Sequence, residues 1–185
     1  MAACGNALAA LAVAAALAGC SVDGSQWLYG GAYNDVGTSS FRYAGAGRDF
    51  RTEVVGNPFD TPDDVTRDAV LALMQGRDKG MGTRFTANPG PNELKPFRIV
   101  MLFNPEPRHA RRAVCARPLA TPDPARAPRL TLVAAFCHAQ ELMFAVASSM
   151  PAASSPYDPA FARMVDRLMY GFVPYESMTD DPDDD

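Results

Sequence analysis

The residues of this chain that could do chemistry are few: two histidines, four cysteines and a dense run of arginines. The arginines are the most distinctive. Arg108, Arg111, Arg112, Arg117, Arg126 and Arg129 are opposed only by Asp123, a local charge of about +5. A guanidinium presents a rigid fork of donors that matches the planar oxygens of phosphate and carboxylate. Arg108, Arg111 and Arg112 are therefore the candidate anion-contacting residues. Two other readings compete: a solvated, proline-rich loop whose arginines reflect genome composition, and an acidic tail folded back over them. Lysine occurs only at Lys79 and Lys95, while the other fifteen cations are arginine. With abundant alanine and proline, that is the composition of a GC-rich genome, so arginine richness alone is discounted.

Catalysis finds little support. His138 and Glu141 could be read as an acid-base pair, but no nucleophile is placed beside them, and at a turn both are expected to be solvated. The Gly-x-Ser-x-Gly elbow, the phosphate-binding glycine loop and the His-Glu-x-x-His motif do not occur in the sequence, which removes the common signatures of hydrolysis and nucleotide use. A zinc or copper site needs three or four ligands, and His109 and His138 are the only imidazoles. No catalytic residue, metal or cofactor is assigned. The nine methionines read as core filling.

At the N-terminus every residue from Leu8 to Gly19 is Leu, Ala, Val or Gly, a run of signal-peptide length that is too short to span a bilayer. It ends Leu17-Ala18-Gly19-Cys20. These residues resemble the lipobox of bacterial lipoproteins, in which small residues fit the signal peptidase II site and the cysteine thiol accepts diacylglycerol. The resemblance implies that residues 1–19 are a signal peptide and that Cys20 becomes the lipidated N-terminus. A signal peptide normally opens with a basic residue, whereas the first here is Arg42, so the true start is expected upstream of Met1. The alternative is an Ala-rich helix or a non-lipid secretory signal. Ser21 stands where inner-membrane retention in enteric bacteria would favour aspartate, which by the same resemblance favours the outer membrane, on its periplasmic face.

An exported chain meets an oxidising compartment in which an isolated cysteine pair tends to join, so Cys115 and Cys137 are expected to form a disulfide. Antiparallel pairing of the segment around Val114 with residues 132–137 would bring them opposite each other. The alternatives are two buried thiols, or a metal site with His138. The envelope also supplies anionic partners for the arginines in lipid headgroups, lipopolysaccharide and peptidoglycan, and it makes nucleic acid implausible. The leading reading is a non-catalytic envelope lipoprotein that binds or scaffolds another component, such as an envelope protein. An envelope enzyme without recognisable motifs is the alternative.

The elements that must position these residues are read from periodicity. At 185 residues the chain has room for one domain of ordinary size. The formal charge of -4 is carried by five aspartates at the extreme C-terminus. Residues 20–40, rich in Gly and Ser with Trp27, Tyr29 and Tyr33, read as a tether. Residues 41–175 read as the globular domain and 176–185 as an acidic disordered tail. Runs at 41–44 and 50–55 around Gly45-Ala46-Gly47 read as a hairpin. Thr61 is placed to cap a helix with Pro62 in its first turn, Val65, Ala69, Ala72 and Leu73 on its inner face and Gly76 closing it. The run 97–103, apolar apart from Arg98, predicts a central strand. Runs at 130–138 and 142–147 predict a hairpin around residues 139–141, with one long helix as competitor. Asp158 and Pro159 open a second helix with Phe161, Val165, Leu168 and Met169 in one stripe, ended by Gly171. The order β-β-α-β-β-β-β-α implies an α+β fold: two helices on one face of a mainly antiparallel sheet.

Overall fold

Gly37, Phe41, Ala44 and Gly45 recur at i, i+4, i+7 and i+8, and they are the buried residues of the first helix. The structure, a computed structural model, describes residues 25–28, 35–105, 114–116 and 128–174. That helix, α1 (Asp35–Gly45), corrects the strand expected over 41–44. A four-residue apolar run fits either period, and the helix places Phe41 at 0% exposure while turning Tyr43 outward. The end of α1 packs closely at Gly45, where a Cβ would stand 3.0 Å from Thr83 Oγ1 and 3.1 Å from Phe50 Cδ1, so a larger residue would have to displace these side chains. Secondary structure also begins before residue 41, since β1 (Ser25–Leu28) and the first half of α1 fall within the stretch read as tether.

The remaining elements are β2 (Asp49–Val55), α2 (Asp63–Met74), β3 (Arg84–Thr86), β4 (Phe97–Phe103), β5 (Arg129–His138), β6 (Glu141–Pro151) and α3 (Pro159–Phe172). The strands form one sheet in the order β1-β6-β5-β4-β2-β3. The β1/β6, β6/β5 and β5/β4 pairs are antiparallel, whereas β4/β2 and β2/β3 are parallel. The fold is α+β, but its sheet is mixed rather than mainly antiparallel, and the described helices number three rather than two. One change causes both corrections. With 41–44 in a helix, β2 has no hairpin partner and pairs instead with strands that reach it through crossovers, and a crossover makes neighbours parallel.

The β5–β6 hairpin turns on two residues, Ala139 and Gln140, with His138 opposite Glu141 and Ala139 at φ 53°. In α2 the buried residues are Thr66, Ala69, Val70 and Met74, a face turned by about one residue from the expected stripe. Val70 and Met74 bring more apolar volume to the core than Val65 and Ala72 would. Thr66 is tolerated there because its hydroxyl donates to Asn57 Oδ1 at 2.8 Å. Thr61 does not cap α2; Pro62 holds that position and Thr61 Oγ1 meets Thr66 Oγ1 at 2.9 Å. Gly76, at φ 70°, does close the helix, as a left-handed residue beyond a C-terminus should. In α3 Asp158 accepts from the Ala160 amide at 2.8 Å with Pro159 at the first position. The helix passes through Gly171 to Phe172 rather than ending there, and Lys79 meets its end by donating to the carbonyls of Tyr170 and Val173 at 2.8 and 2.5 Å.

All three helices contribute to one apolar core with the inward residues of the strands. Its hub is Phe41, whose ring lies 5.1 Å from Phe50, 5.2 Å from Phe136, 5.9 Å from Phe144 and 5.4 Å from Phe172. No described helix is long and apolar enough to cross a membrane. Phe41→Ala is expected to lower the free energy of unfolding by about 3–5 kcal/mol through lost burial and an unfilled cavity. Urea denaturation measures this, and a loss below about 1 kcal/mol would contradict Phe41 as the hub.

Candidate functional site

The face of the sheet opposite the helices carries the polar groups with the most unusual environments. Residues alternate across a strand, so Arg98, Val100 and Leu102 of β4 share this face with Cys137, Ala135 and Val133, their partners on β5. Val100, Leu102, Val133, Ala135, Ala145 and Ala147 form a second, smaller apolar cluster here, joined by Val114 and Cys115. These small side chains let a covering segment lie close.

Cys115 is bonded to Cys137, with Cα atoms 5.7 Å apart. The route to this bond differs from the strand pairing expected around Val114. Residues 114–116 are a turn, and β5 already has β4 and β6 on its two sides, so no edge remains for a further strand. Cys115 instead reaches Cys137 from above the sheet, and both residues are fully buried.

Arg98 stands beside this bond. Only 8% of the residue is exposed. Its guanidinium donates to the Cys115 carbonyl at 2.5 Å and to the Ala139 carbonyl, and its Nε lies 3.6 Å from Glu53 Oε2 on β2. A charged group is retained in such a place only when hydrogen bonds and an opposite charge replace its water, and this one has both. Arg98 thus ties the covering segment, the β5–β6 turn and β2 into one unit.

The same face is charged towards the β3 edge. Arg51 donates to both carboxylate oxygens of Glu93, at 2.6 and 2.9 Å, which raises the already high pKa of its guanidinium. Asp49 accepts two bonds from Arg84 and one at 2.6 Å from the Gly90 amide. The Arg84 hydrogen bonds, followed by that from Gly90, hold its carboxyl below the usual aspartate range. These pairs fasten the 87–96 connection across β2. They are structural fasteners, since each carboxylate is already occupied by a guanidinium.

A second polar cluster lines a cavity of about 200 Å³ between the turn that follows α2 and α3, formed by Gly76, Arg77, Lys79, Asp166 and Tyr170. Arg77 Nε meets Asp166 Oδ1 at 2.7 Å. Burial holds the Lys79 ammonium below the usual lysine range, while two carbonyls at the end of α3 and the Tyr170 ring, 5.0 Å away, retain it. This arrangement joins two helices.

The sequence-assigned residues distribute unevenly over this frame. Cys20, Arg108, Arg111 and Arg112 lie outside the described residues, as do His109, Arg117, Arg126 and the 176–185 tail. Both roots of the arginine-rich connection are described and adjacent: Asn104 exchanges bonds of 2.8 and 2.7 Å with Thr131, and Arg129 donates to Ser149 Oγ at 3.1 Å. His138 and Glu141 face each other across the turn, both exposed, with the His138 ring 4.9 Å from Phe97. Among the described residues no group of three His, Cys, Asp or Glu side chains could hold a metal ion. Arg98 and Glu53 are not among the residues the sequence marks as a site, although a lone charge in an otherwise apolar central strand is a signal that points to Arg98. No protein-family model matches the chain, and neither a curated protein nor a solved structure matches it.

Replacing Arg98 tests the clamp. Arg98→Met keeps the aliphatic stem but strands two carbonyls and Glu53 without its countercharge, and is expected to cost about 3 kcal/mol of unfolding free energy. A loss below about 1 kcal/mol in urea denaturation of the oxidised protein would show that the clamp does not secure the segment.

Proposed function

We propose that this protein is a non-catalytic binding or scaffolding lipoprotein of the bacterial envelope. It is held by lipid on Cys20, with the outer membrane favoured over the inner, and it presents Arg108, Arg111 and Arg112 to anionic groups of lipid headgroups or peptidoglycan, or to an envelope protein. The observation that carries this reading is the covalent pin at Cys115. A buried disulfide suits an oxidising compartment, in keeping with the lipobox-like Leu17-Ala18-Gly19-Cys20. The pin also divides the arginine-rich connection, which is rooted at Asn104 and Arg129 and fastened between them at Cys115. Arg111 and Arg112 are four and three residues from that pin, which limits the freedom lost when they bind and so lowers the entropic cost of an anionic contact. Two or three acyl chains, each buried methylene contributing about 0.8 kcal/mol, would hold the protein on the membrane without further affinity.

Cys20→Ala is expected to abolish fatty-acid labelling and to leave uncleaved or soluble protein. Labelled, membrane-bound Cys20→Ala protein would sink the anchor. The experiment should retain the native upstream sequence.

The arginine contacts have their own test. Lipid-free protein lacking residues 1–19, with Cys20→Ser, is expected to bind phosphatidylglycerol vesicles and to lose most binding as salt shortens the Debye length below about 10 Å. Replacing Arg108, Arg111 and Arg112 together with glutamine should remove most of the low-salt binding and leave the melting temperature nearly unchanged. Equal, salt-independent binding by both proteins would return these arginines to a merely solvated loop.

A further inference from the structure

The length of chain between Cys20 and the sheet decides how the domain is held. β1 begins at Ser25, five residues after Cys20, and is fixed by antiparallel pairing to β6 with Ser25 opposite Ser149. Five residues reach at most about 17 Å when fully stretched. On the reading that Cys20 carries lipid, we propose that one corner of the sheet is thereby held against the bilayer and that headgroup phosphates are its partner there. The corner consists of the start of β1, the end of β6 and the start of β5.

The residues at this corner suit that partner. Arg129 opens β5 opposite Pro151, close to the Ser25–Ser149 pair, and is exposed. The loop that leaves β6 carries Tyr157, which is 71% exposed. Tyrosine suits the boundary between water and lipid because one end of its ring is apolar and the other hydrogen-bonds. Asn104 and Arg129 place both roots of the arginine-rich connection at the same end of the sheet. The acidic groups at this end are Asp158, next to Tyr157 and accepting from the Ala160 amide, and Asp60, Asp63 and Asp64, which belong to the start of α2 and the loop before it, following β2. Four strand spacings separate β2 from β1, or about 19 Å. Arg129 is the charged side chain on the strand ends of this corner, and the Asp158 carboxylate in the adjoining loop is engaged by the Ala160 amide. The opposite end of the sheet lies beyond reach: from Ser149 to the turn at Gln140 β6 runs eight to nine residues, about 27–31 Å.

The test uses the full-length lipidated protein in vesicles of phosphatidylethanolamine and phosphatidylglycerol, with photo-crosslinking p-benzoylphenylalanine in place of Tyr157 or, separately, Gln140. Both positions are exposed, so neither replacement disturbs the core. Lipid adducts at 157 are expected to exceed those at 140 by about ten-fold, because the short tether keeps the turn clear of the headgroups. Inserting about fifteen Gly/Ser residues after Ser21 adds some 20 Å of flexible reach and should bring the ratio towards unity. Equal adducts at the two positions, or a ratio unchanged by the insertion, on protein whose N-terminal peptide carries diacylglycerol by mass spectrometry, would overturn the corner and leave the anchor standing. An N-terminal peptide without lipid would overturn both.

Discussion

Strands β4 and β5 are buried on both faces, and much of the molecule follows from the need to cover them. On one side Ile99, Met101, Phe103, Leu132 and Phe136 meet three helices. On the other, Val100, Leu102, Val133 and Ala135 are equally inaccessible, yet among the described residues the members of that cluster from outside the strands are Val114 and Cys115. A short turn brings too little apolar area to offset its own loss of conformational freedom. Its position therefore depends on stronger fastenings, the disulfide to Cys137 and the Arg98 guanidinium on the Cys115 carbonyl. The cation, the disulfide and the small residues beneath them form a single solution to one packing problem.

The parallel side of the sheet solves a different problem. A crossover leaves long connections over strand ends, and here each is held by charge rather than by apolar area. Arg51 and Glu93 fasten the 87–96 connection from one strand face, Asp49 collects Arg84 and the Gly90 amide, and Lys79 closes the end of α3 from the turn after α2. Such pairs add little stability where exposed to water. Their larger effect is on which way a proline- and glycine-rich connection runs, because an approach that left Asp49 or Glu93 without a partner would bury a bare carboxylate.

Legibility followed the strength of local signals. β4, the β5–β6 hairpin and the Asp158–Pro159 start of α3 were readable because long apolar runs and a capping pair act within a few residues of each other. The inner face of α2 lies one position from the stripe its periodicity predicts, since two neighbouring stripes are both apolar and only the contacted surface chooses between them. Residues 41–44 lie in a helix rather than the expected strand because four residues do not define a period. Arg98 was visible as an exception in its strand, but its partners are two carbonyls and a glutamate that lie at least seventeen residues away in the chain.

The amino-acid order by itself determined an α+β domain, two of the three helices, the interior position of the 97–103 run and which thiols remain once the N-terminal segment is set aside. Those properties reside in periods, caps and counts, which need no distant partner. Tertiary structure alone decided the parallel pairings of β2, the face α2 buries, and the approach of Cys115 to Cys137 from above the sheet. It also decided the early entry of Ser25 into the sheet, within a stretch whose composition reads as a flexible segment. The physical reason is common to all of these. Each depends on which of several locally acceptable surfaces is left to be covered once β4 and β5 have paired, and that choice is made between residues far apart in the chain.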